Sequence, residues 1–516
     1  MALLRSIATV GGFTMISRFL GFARDILIAA ILGAGPVADA FFVAFKLPNF
    51  FRRLFAEGAF NAAFVPLFAR HMSEGGAGAA RQFAQEVLSV FVVALLLFVT
   101  ALQIAMPWIM HGFAPGFADD PLRFDLAVAM AQITFPYLLF ISLVSQLGGV
   151  LNALGKFAAA AATPIILNLC LIAALLGLSA FVETPGHALA WGVAVAGAAQ
   201  FIWLMVACHR ADFGLRLLRP RLTPRVKRLL ILMLPGAIGA GVVQVNLLID
   251  VVIASLLPRG SVSFLYYADR VNQLPLGVIG VAVGTALLPL LSGQLRAGEE
   301  DGAMGSMNRA MEFALLLTVP AAAALMIIPD GIIAVLFERG AFGAAETAAT
   351  ASALAAYAIG LPAYVLIKVL GPGFFAREDT VTPVKIAALC VAINLALNLL
   401  LMGPLLHVGI ALATAISAWI NAGLLLFVLR RRGHFKFDDR LGRAIPRILL
   451  ASAAMTAAVG LAAEALTGFA ATDAFARGLA LAAVIAVGLA GFAGAAILFG
   501  AARLSDIKRM LDRSSR

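Results

Sequence analysis

Long apolar runs, separated by short polar or charged segments, follow one another along the whole chain. Their usual length is about 20 residues, which an α-helix needs to cross the hydrocarbon core of a bilayer. The alternation that is typical of transmembrane β-strands is missing, so the pattern favours an all-α polytopic membrane protein. We predict about fourteen transmembrane helices, over residues 3–32, 37–68, 82–110, 125–154, 158–180, 187–208, 229–256, 262–294, 308–328, 346–372, 382–403, 408–429, 445–467 and 478–502.

Composition supports membrane insertion, and the cysteines and motifs limit the kinds of site that the protein is expected to contain. Hydrophobic residues make up 62% of the 516 residues and charged residues 13%, whereas soluble domains contain about 45–50% apolar and about 25% charged residues. The three cysteines lie in or beside apolar runs, without the spacing of a disulfide framework or a zinc site. The sequence contains no P-loop, HExxH or GxSxG motif, so no covalent chemistry is indicated, and we expect a protein that is not an enzyme and has no bound cofactor.

The positive charges of the loops indicate how the helices are oriented. An even number of spans places both termini on one side, and that side receives all but four of the loop cations. The four on the other side are Arg123, Arg259, Arg339 and Arg477. Since Lys and Arg concentrate in cytoplasmic loops, we predict that both termini are cytoplasmic.

Two clusters of basic residues divide the chain. Because both adjoin predicted spans, we interpret them as contacts with anionic phospholipids rather than with nucleic acid.

Prolines interrupt helices 2 and 8, which hold the same place in the two halves, and such pairs are typical of transport sites. The predicted domains are an N-lobe 1–208 with helices 1–6, a basic cytoplasmic linker 209–228 that can be amphipathic, a C-lobe 229–430 with helices 7–12, a basic linker 431–444, helices 13–14 over 445–502 and a basic tail 503–516.

Seven cations lie inside predicted spans, where an unpaired charge is unfavourable. Each would cost about 2.5–3.5 kcal/mol at the centre of a bilayer, so none is expected to face lipid. The seven are Arg18, Arg24, Lys46, Arg52, Arg53, Arg270 and Lys368. They either line an aqueous cavity or pair with the intramembrane acids, which are Asp25, Asp39, Glu57, Asp250 and Asp269.

Helical spacing places several of these charges on common faces. Asp39, Lys46 and Arg53 recur at intervals of seven and form one stripe of helix 2, with Asn49 beside it. The same interval separates Arg18 from Asp25 in helix 1. The first two helices hold five of the seven cations but three acids, so we predict a cationic cavity. Its arginines suit phosphate, which a guanidinium binds through two parallel hydrogen bonds, although individual cations can instead form structural pairs or snorkel.

Five stretches of the sequence are similar to one known family. They are Ser17–Asp25 (SRFLGFARD), Asp39–Asn49 (DAFFVAFKLPN), Arg52–Phe60 (RRLFAEGAF), Tyr266–Arg270 (YYADR) and Lys368–Arg377 (KVLGPGFFAR). These stretches resemble the MurJ (MviN) lipid II flippases, and the helix count matches across essentially the whole chain. The resemblance implies the fold of the multidrug/oligosaccharidyl-lipid/polysaccharide exporters. In that fold two six-helix lobes surround a central cavity, and a C-terminal helix pair forms a groove for the lipid tail.

The same resemblance implies a substrate and the residues that bind it. The substrate would be lipid II, the undecaprenyl-pyrophosphate-linked disaccharide-pentapeptide. It would be flipped from the inner to the outer leaflet of the bacterial cytoplasmic membrane by alternating access. Contact with the cell-wall synthesis machinery is a further implication. The candidate substrate-binding residues are Arg18, Arg24, Asp25, Asp39, Lys46, Asn49, Arg52, Arg53 and Arg270.

The resemblance also implies a gate, and the sequence departs from the family near one cavity arginine. Glu57 and Lys368 are the gate candidates, as charge partners from the two lobes. Some relatives carry a glutamate where this chain has Gln273, three residues after the arginine of the YYADR stretch. Asp269 or Asp25 would then have to be the acid partner of that arginine.

A sodium ion and the membrane potential are the two candidate energy sources. The positions that match the sodium site of some relatives are Asp250, Asn394, Asn398 and Thr414. Asn398 stands where a sodium-binding relative has aspartate, so polar contact between helices is an equally open interpretation. A potential that is negative inside contributes about 2.3 kcal/mol per charge per 100 mV, and a cationic cavity could use it.

Other functions stay open at this point. A flippase for another polyprenyl-pyrophosphate-linked glycan would share the fold and the cationic cavity. A multidrug exporter of organic cations would share the fold, but we expect its cavity to be net acidic. A membrane scaffold without transport would tolerate neutralisation of every cation in the spans.

Overall fold

The computed structural model of the protein describes the backbone of residues 2–54, 60–470 and 473–501. Within these ranges it describes the side chains of all but residues 2–8, 235–243, 245–247, 278–279, 281–285 and 470. Apart from an isolated β-bridge between Arg339 and Phe342, the described residues form helices and the turns between them. The predicted all-α class is therefore confirmed.

The helices fall into two compact units, residues 1–263 with 339–342 and residues 264–338 with 343–516. The first unit contains α1 Ala2–Leu32, α2 Pro36–Phe51, α3 Asn61–Ile104, α4 Met106–Phe113, a short 3-10 helix Pro115–Phe117, α5 Pro121–Thr134, α6 Tyr137–Ala153, α7 Phe157–Gly177, α8 Pro185–Arg210 and α9 Pro224–Ser255. The second contains most of α10 Ser261–Arg296, and α11 Glu300–Ile327, α12 Pro329–Phe337, α13 Ala344–Phe375, α14 Val381–Arg431, α15 Asp439–Ala465, α16 Thr467–Ala470 and α17 Ala474–Leu498.

Where the predicted spans coincide with described residues, each falls mainly on helical segments. Residues 55–59 of the span 37–68 and residue 502 of the span 478–502 lie outside the described residues. Nine helical segments in the described ranges are long and apolar enough to cross a membrane. Two of the long helices contain a break, at Gly76 of α3 with φ 68° and at Leu406 of α14 with φ 50°. These breaks lie between predicted spans, at 69–81 and 404–407. The total of fourteen spans stays a prediction.

Local sequence signals explain where several helices of the first unit begin. Pro185 and Pro224 lie in the first turns of α8 and α9, where a missing N–H leaves no helical hydrogen bond unmade. The hydroxyls of Thr184 and Thr223 precede them and accept hydrogen bonds from backbone N–H groups of those turns. Such caps satisfy donors that the helix itself cannot pair.

Aromatic packing stabilises the start of α3. Phe60, Phe64 and Phe83 are fully buried, with ring centroids 4.9 Å apart for the first two and 5.7 Å apart for Phe64 and Phe83. Around this cluster α6 packs on α3 and α8, while α1 packs on α7 and α2 packs on α5. Because α9 packs on α3 and α4, the first unit extends to Ser263, beyond the basic linker 209–228. The lobe boundaries from the sequence stay a prediction.

In the second unit α13 packs on α11, α12 and α14 around one apolar core. The predicted helices 13 and 14 correspond to α15 and α17, which pack on each other, and α15 also packs on α11. Arg477, in the first turn of α17, reaches Glu338 after α12 with an Nη1–Oε1 distance of 2.9 Å. The terminal pair is thus joined to the second unit by apolar packing and by an ion pair.

Candidate functional site

Arg24 and Asp25 form a buried ion pair in the middle of α1. The Nη2–Oδ1 distance is 2.7 Å, and the two residues are 6% and 2% exposed. Arg24 also donates from Nη1 to Oδ1 of Asn168 on α7 at 2.9 Å. Asn168 in turn donates to the backbone oxygen of Ser17 at 2.9 Å. For Arg24, therefore, the structure contains the pairing that the sequence left open, and an anion bound here would share the guanidinium with a carboxylate.

Asn168 was not among the residues that the sequence singled out. The available signal was one amide in the strongly apolar run of α7, which often indicates no more than a contact between helices. Here that contact orients a cation. Because a guanidinium has several donors in a fixed plane, Asn168 and Asp25 together set which edge of Arg24 can face a ligand.

Three other cations, one each on α1, on α2 and in the turn after α2, are exposed at the surface of the first unit. They are Arg18, Lys46 and Arg53. Charges that are exposed on segments of this apolarity are solvated by water, lipid headgroups, an anionic ligand or polar groups of the protein, since hydrocarbon does not solvate them. These residues are therefore the accessible part of the predicted cationic surface.

Arg52 directly follows α2, in a wider π-helical turn at residues 52–54. Its Nε donates to Oδ1 of Asn49 at 3.1 Å, and Asn49 donates to the backbone oxygen of Phe45 at 2.8 Å. π-Turns inside α-helices are frequent at functional sites, because they redirect side chains. Here Arg52 lines a cavity of about 230 Å³, whose walls are formed largely by α6, α7 and α8.

Asp39 does not share the surface of the other members of its predicted stripe. It is 0% exposed and accepts hydrogen bonds from the backbone N–H groups of Gly260 at 2.6 Å and Ser263 at 2.9 Å. The hydroxyl of Ser263 donates to the same carboxylate at 2.6 Å. Asp39 thus caps the N-terminus of α10, where a carboxylate is also favoured by the helix dipole. To contact a substrate it would have to leave this cap, and its role as a ligand stays a prediction.

An ionic cluster adjoins this cap. Arg123 Nη1 lies 3.9 Å from Asp39 Oδ2, and Arg123 Nε donates to Asp120 at 2.8 Å. Arg259 donates to both carboxylate oxygens of Asp120, at 2.7 and 2.9 Å. Hydrogen bonding to Arg259 holds the pKa of Asp120 below its ordinary value of 3.8. The pair therefore adds stability above that value, and the contribution disappears as the pH falls through the lowered pKa.

The turn at residues 339–342 packs against the end of α1. The N–H of Ala341 donates to the backbone oxygen of Ala30 at 2.8 Å. Gly33 and Gly340 have φ angles of 65° and 60°, and a Cβ on Gly340 would lie 2.2 Å from the same oxygen. A side chain at either position would prevent this approach. No signal in the sequence predicts this contact, because both glycines lie in ordinary turns between helices.

In the second unit, Arg270 stacks on an aromatic ring of its own helix. Its guanidinium carbon lies 4.7 Å from the ring centroid of Tyr266, and Nη2 donates to the hydroxyl of that tyrosine at 2.9 Å. Gln273 donates to the carboxylate of Asp269. The half-buried Arg270 is thus oriented by a neutral ring, and Gln273 occupies an oxygen of one of the two candidate acid partners.

The gate candidates are described in part. Lys368 is exposed on α13, and its Nζ lies beside Gly280 of α10, where a Cβ would be 2.9 Å away. Glu57 lies outside the described residues. The pairing of these two charges stays a prediction.

The candidate sodium ligands lie in different units. Asp250 is half-buried in the first, and the other three belong to α14 in the second. Asn398 donates to Oδ1 of Asn394 at 2.8 Å, and Thr414 donates to the backbone oxygen of Ile410 at 2.9 Å. Among the described residues no group of three or more His, Cys, Asp or Glu could hold a metal ion. The amide contact favours a structural role for Asn394 and Asn398, and the sodium site stays a prediction.

Comparison with known proteins places these residues in a family. Residues 28–480 match the family model described as lipid II flippase MurJ. A probable lipid II flippase MurJ of Rhizobium meliloti (strain 1021) is 47% identical over 100% of this chain and 97% of its own. A relative with the same description from Vibrio cholerae serotype O1 is 37% identical over 98% of both chains.

Solved structures agree with the sequence matches. A lipid II flippase MurJ in an inward closed conformation is 28% identical, with a TM-score of 0.78 over 95% of this chain and 98% of that one. An inward-facing multidrug resistance MATE transporter of the MOP superfamily is 14% identical, with a TM-score of 0.65 over 83% of this chain and 98% of its own, and shows the fold alone. The chain therefore belongs to the MurJ family of lipid II flippases.

Proposed function

We propose that this protein moves lipid II from the inner to the outer leaflet of the bacterial cytoplasmic membrane by alternating access. The observation that carries the proposal is the set of exposed arginine and lysine side chains on α1, on α2 and in the π-helical turn after α2, the segments that also contain Arg24 and Arg52. Arginine binds phosphate through two parallel hydrogen bonds, so this surface suits the pyrophosphate that links the headgroup to the polyprenyl chain. An exporter of organic cations would need the opposite charge.

In this mechanism the arginines contact the pyrophosphate at different stages. Arg52, held by Asn49, and the exposed Arg18 meet the pyrophosphate first. Arg24 is neutralised by Asp25 in the state described here, so it contributes when the anion competes with that carboxylate for the guanidinium. Arg270 presents a guanidinium that Tyr266 orients. Release follows when these contacts are exchanged for water on the other side.

The lipid tail and the membrane surface supply the remaining contacts. The terminal helices α15 and α17 expose large apolar side chains, among them Leu461 at 69% and Leu489 at 71%, and we propose that the polyprenyl tail stays in lipid along this pair. The basic segment 209–228 would bind anionic phospholipid headgroups. Contact with the cell-wall synthesis machinery is part of the same proposal.

The test of this function is the fate of lipid II when the protein is removed. Depletion should cause lipid II to accumulate in the inner leaflet, and the purified protein in liposomes should move it across the bilayer. Transport of a different polyprenyl-linked glycan, with no transport of lipid II, would support the alternative flippase. Failure to move any such lipid, together with normal growth after deletion, would contradict the proposal.

For the energy source we propose the membrane potential. Since the amide contact between Asn394 and Asn398 favours a structural role, we expect the rate of flipping in liposomes to be the same in sodium and in potassium buffers. A potential that is negative inside should increase the rate, because it favours the return of a positively charged cavity. A rate that falls severalfold without sodium, and that Asp250→Asn lowers to the same level, would show sodium coupling instead.

A further inference from the structure

A pocket inside the first unit is lined by amide groups whose oxygens have no hydrogen-bond partner in the described structure. This pocket, the cavity of about 230 Å³ beside Arg52, lies between α6, α7, α8 and the start of α3. At roughly 30 Å³ per water molecule it has room for about seven waters. It is smaller than the usual 300–1,000 Å³ of sites for drug-sized ligands. Its size therefore fits one small ring or group, not a whole headgroup.

Two acceptor oxygens of the pocket-lining amides are buried without a partner. They are Oε1 of Gln200, a residue that is 1% exposed, and Oδ1 of Asn61, and neither has a hydrogen-bond partner among the described residues. The positions of the oxygen and nitrogen in the Gln200 amide cannot be exchanged to give the oxygen a partner. The nitrogen Nε2 is already fixed, because it donates to the backbone oxygen of Thr163 at 2.7 Å. A buried acceptor without a donor is unfavourable by about 1–3 kcal/mol. The pocket is therefore suited to a donor from water or from a ligand.

The helix α7, which forms one wall of the pocket, contains a proline beside the groups that line it. Pro164 lies inside α7 and cannot donate to the oxygen of Ala160, which instead accepts from the hydroxyl of Thr163 at 2.8 Å. On α8, Trp203 donates to the neighbouring oxygen of Ala159 at 3.0 Å. Side chains from α8 thus donate to backbone oxygens of α7 in the turn before Pro164, and this contact fixes the amide of Gln200.

The charge of the pocket limits what can enter it. Arg52 is the one charged residue among those that line it in the described chain. The adjoining wall of α6 lacks side chains at Gly148 and Gly149, and a Cβ on Gly149 would lie 3.5 Å from Oδ1 of Asn61 and 3.3 Å from Phe64. A neutral group that carries O–H or N–H donors, and that is attached to an anion held by Arg52, matches these features.

We propose that this pocket binds the sugar next to the pyrophosphate, an N-acetylated hexosamine, whose hydroxyl or amide donors pair with Gln200 and Asn61. The inference rests on the proposed function, because the anion on Arg52 is taken to be the pyrophosphate of a polyprenyl-linked substrate. The pocket would then be a specificity site. Arg52 binds the pyrophosphate that all such lipids share, and Gln200 recognises the first sugar.

The experiment compares two lipids with the full-length protein in nanodiscs. The probes are undecaprenyl pyrophosphate and undecaprenyl pyrophosphate that carries a single N-acetylated hexosamine. We expect the wild-type protein to bind the sugar-bearing lipid more tightly. Gln200→Met should weaken that binding roughly tenfold, the effect of about one hydrogen bond, and leave the affinity for undecaprenyl pyrophosphate unchanged.

The chain offers a matched control at Gln146. This glutamine is 0% exposed, donates to the backbone oxygen of Ala84 at 2.8 Å and also has an unpartnered Oε1 in the described structure, but it does not line the pocket. Gln146→Met should leave the affinities for both lipids unchanged. Gly149→Ala narrows the pocket while Gln200 stays in place, and it should reduce the preference for the sugar if Gln200→Met fails to fold.

The outcomes separate this inference from the proposed function. If the wild-type protein binds both lipids equally, or if Gln200→Met and Gly149→Ala weaken both lipids to the same extent, the pocket is filled by water and the inference is overturned. Binding of undecaprenyl pyrophosphate would still support the flippase. If the wild-type protein binds neither lipid better than a phospholipid, both proposals are wrong.

Discussion

Replacing Arg24 by glutamate should abolish growth of cells that rely on this protein after depletion of their own lipid II flippase. In the wild-type protein Arg24 lies 2.7 Å from Asp25 and donates to Asn168. A glutamate there would place two carboxylates side by side and would repel a pyrophosphate. Loss of two charge-assisted hydrogen bonds alone should weaken binding of the anion roughly 100-fold or more. Growth of the complemented cells and binding of undecaprenyl pyrophosphate by purified protein measure the effect.

Arg270→Glu gives an independent test, because misfolding could explain the first result. Arg270 is half-buried and stacked on Tyr266, so its reversal should disturb packing less than the reversal of buried Arg24. Arg70→Glu is the matched control, since Arg70 is exposed and its contact with Glu74 is a surface pair of small energy. Protein levels and thermal melting of all three variants accompany the growth assay. Normal growth with both Arg24→Glu and Arg270→Glu would disprove the assignment of an anion site.

Removal of the Asp39 carboxylate should destabilise the described state by about 2–4 kcal/mol. Asp39→Ala leaves the N–H groups of Gly260 and Ser263 without their buried acceptor and removes a negative charge beside Arg123. We expect a lower melting temperature for the purified protein. Asp39→Asn keeps an acceptor oxygen at the start of α10, so its melting temperature should lie between those of Asp39→Ala and the wild type.

A double-mutant cycle shows whether the cap causes the effect. Asp39→Ala and Ser263→Ala remove the two ends of one side-chain hydrogen bond of 2.6 Å, so their effects on unfolding should not add. Strict additivity, or an Asp39→Ala variant that melts like the wild type, would be inconsistent with the cap. Loss of substrate binding without any change in melting would instead favour Asp39 as a substrate ligand.

The helices, their approximate ends and the family were accessible from the sequence because they depend on local properties. Apolar runs of bilayer length predict helices wherever they occur, and threonine or proline before such a run indicates where a helix begins. Resemblance in the stretches around Arg18, Arg52 and Arg270 then indicated the family. The breaks at Gly76 and Leu406 also fall between predicted spans, since short polar or turn-forming segments separate the apolar runs there.

The candidate site was predicted less completely, and Asp39 explains why. Spacing by seven predicts that Asp39, Lys46 and Arg53 lie near one side of a helix, but a helical period does not predict which other parts of the chain contact that side. The tertiary structure buries Asp39 under the start of α10, whereas Lys46 and Arg53 are exposed. The environment of each of these side chains depends on residues that are far away in the sequence. Such contacts produce no periodic pattern in the sequence.

The sequence by itself determined that the chain is a helical membrane protein with more positive than negative charge in its first two spans. It could do so because hydropathy and charge are sums over residues and do not depend on contacts. Only the tertiary structure decided that Arg24 is neutralised by Asp25 and oriented by Asn168, and that Gln200 faces a pocket beside Arg52. Hydrogen bonds and pockets depend on distances of a few ångströms between separate helices, which packing alone determines.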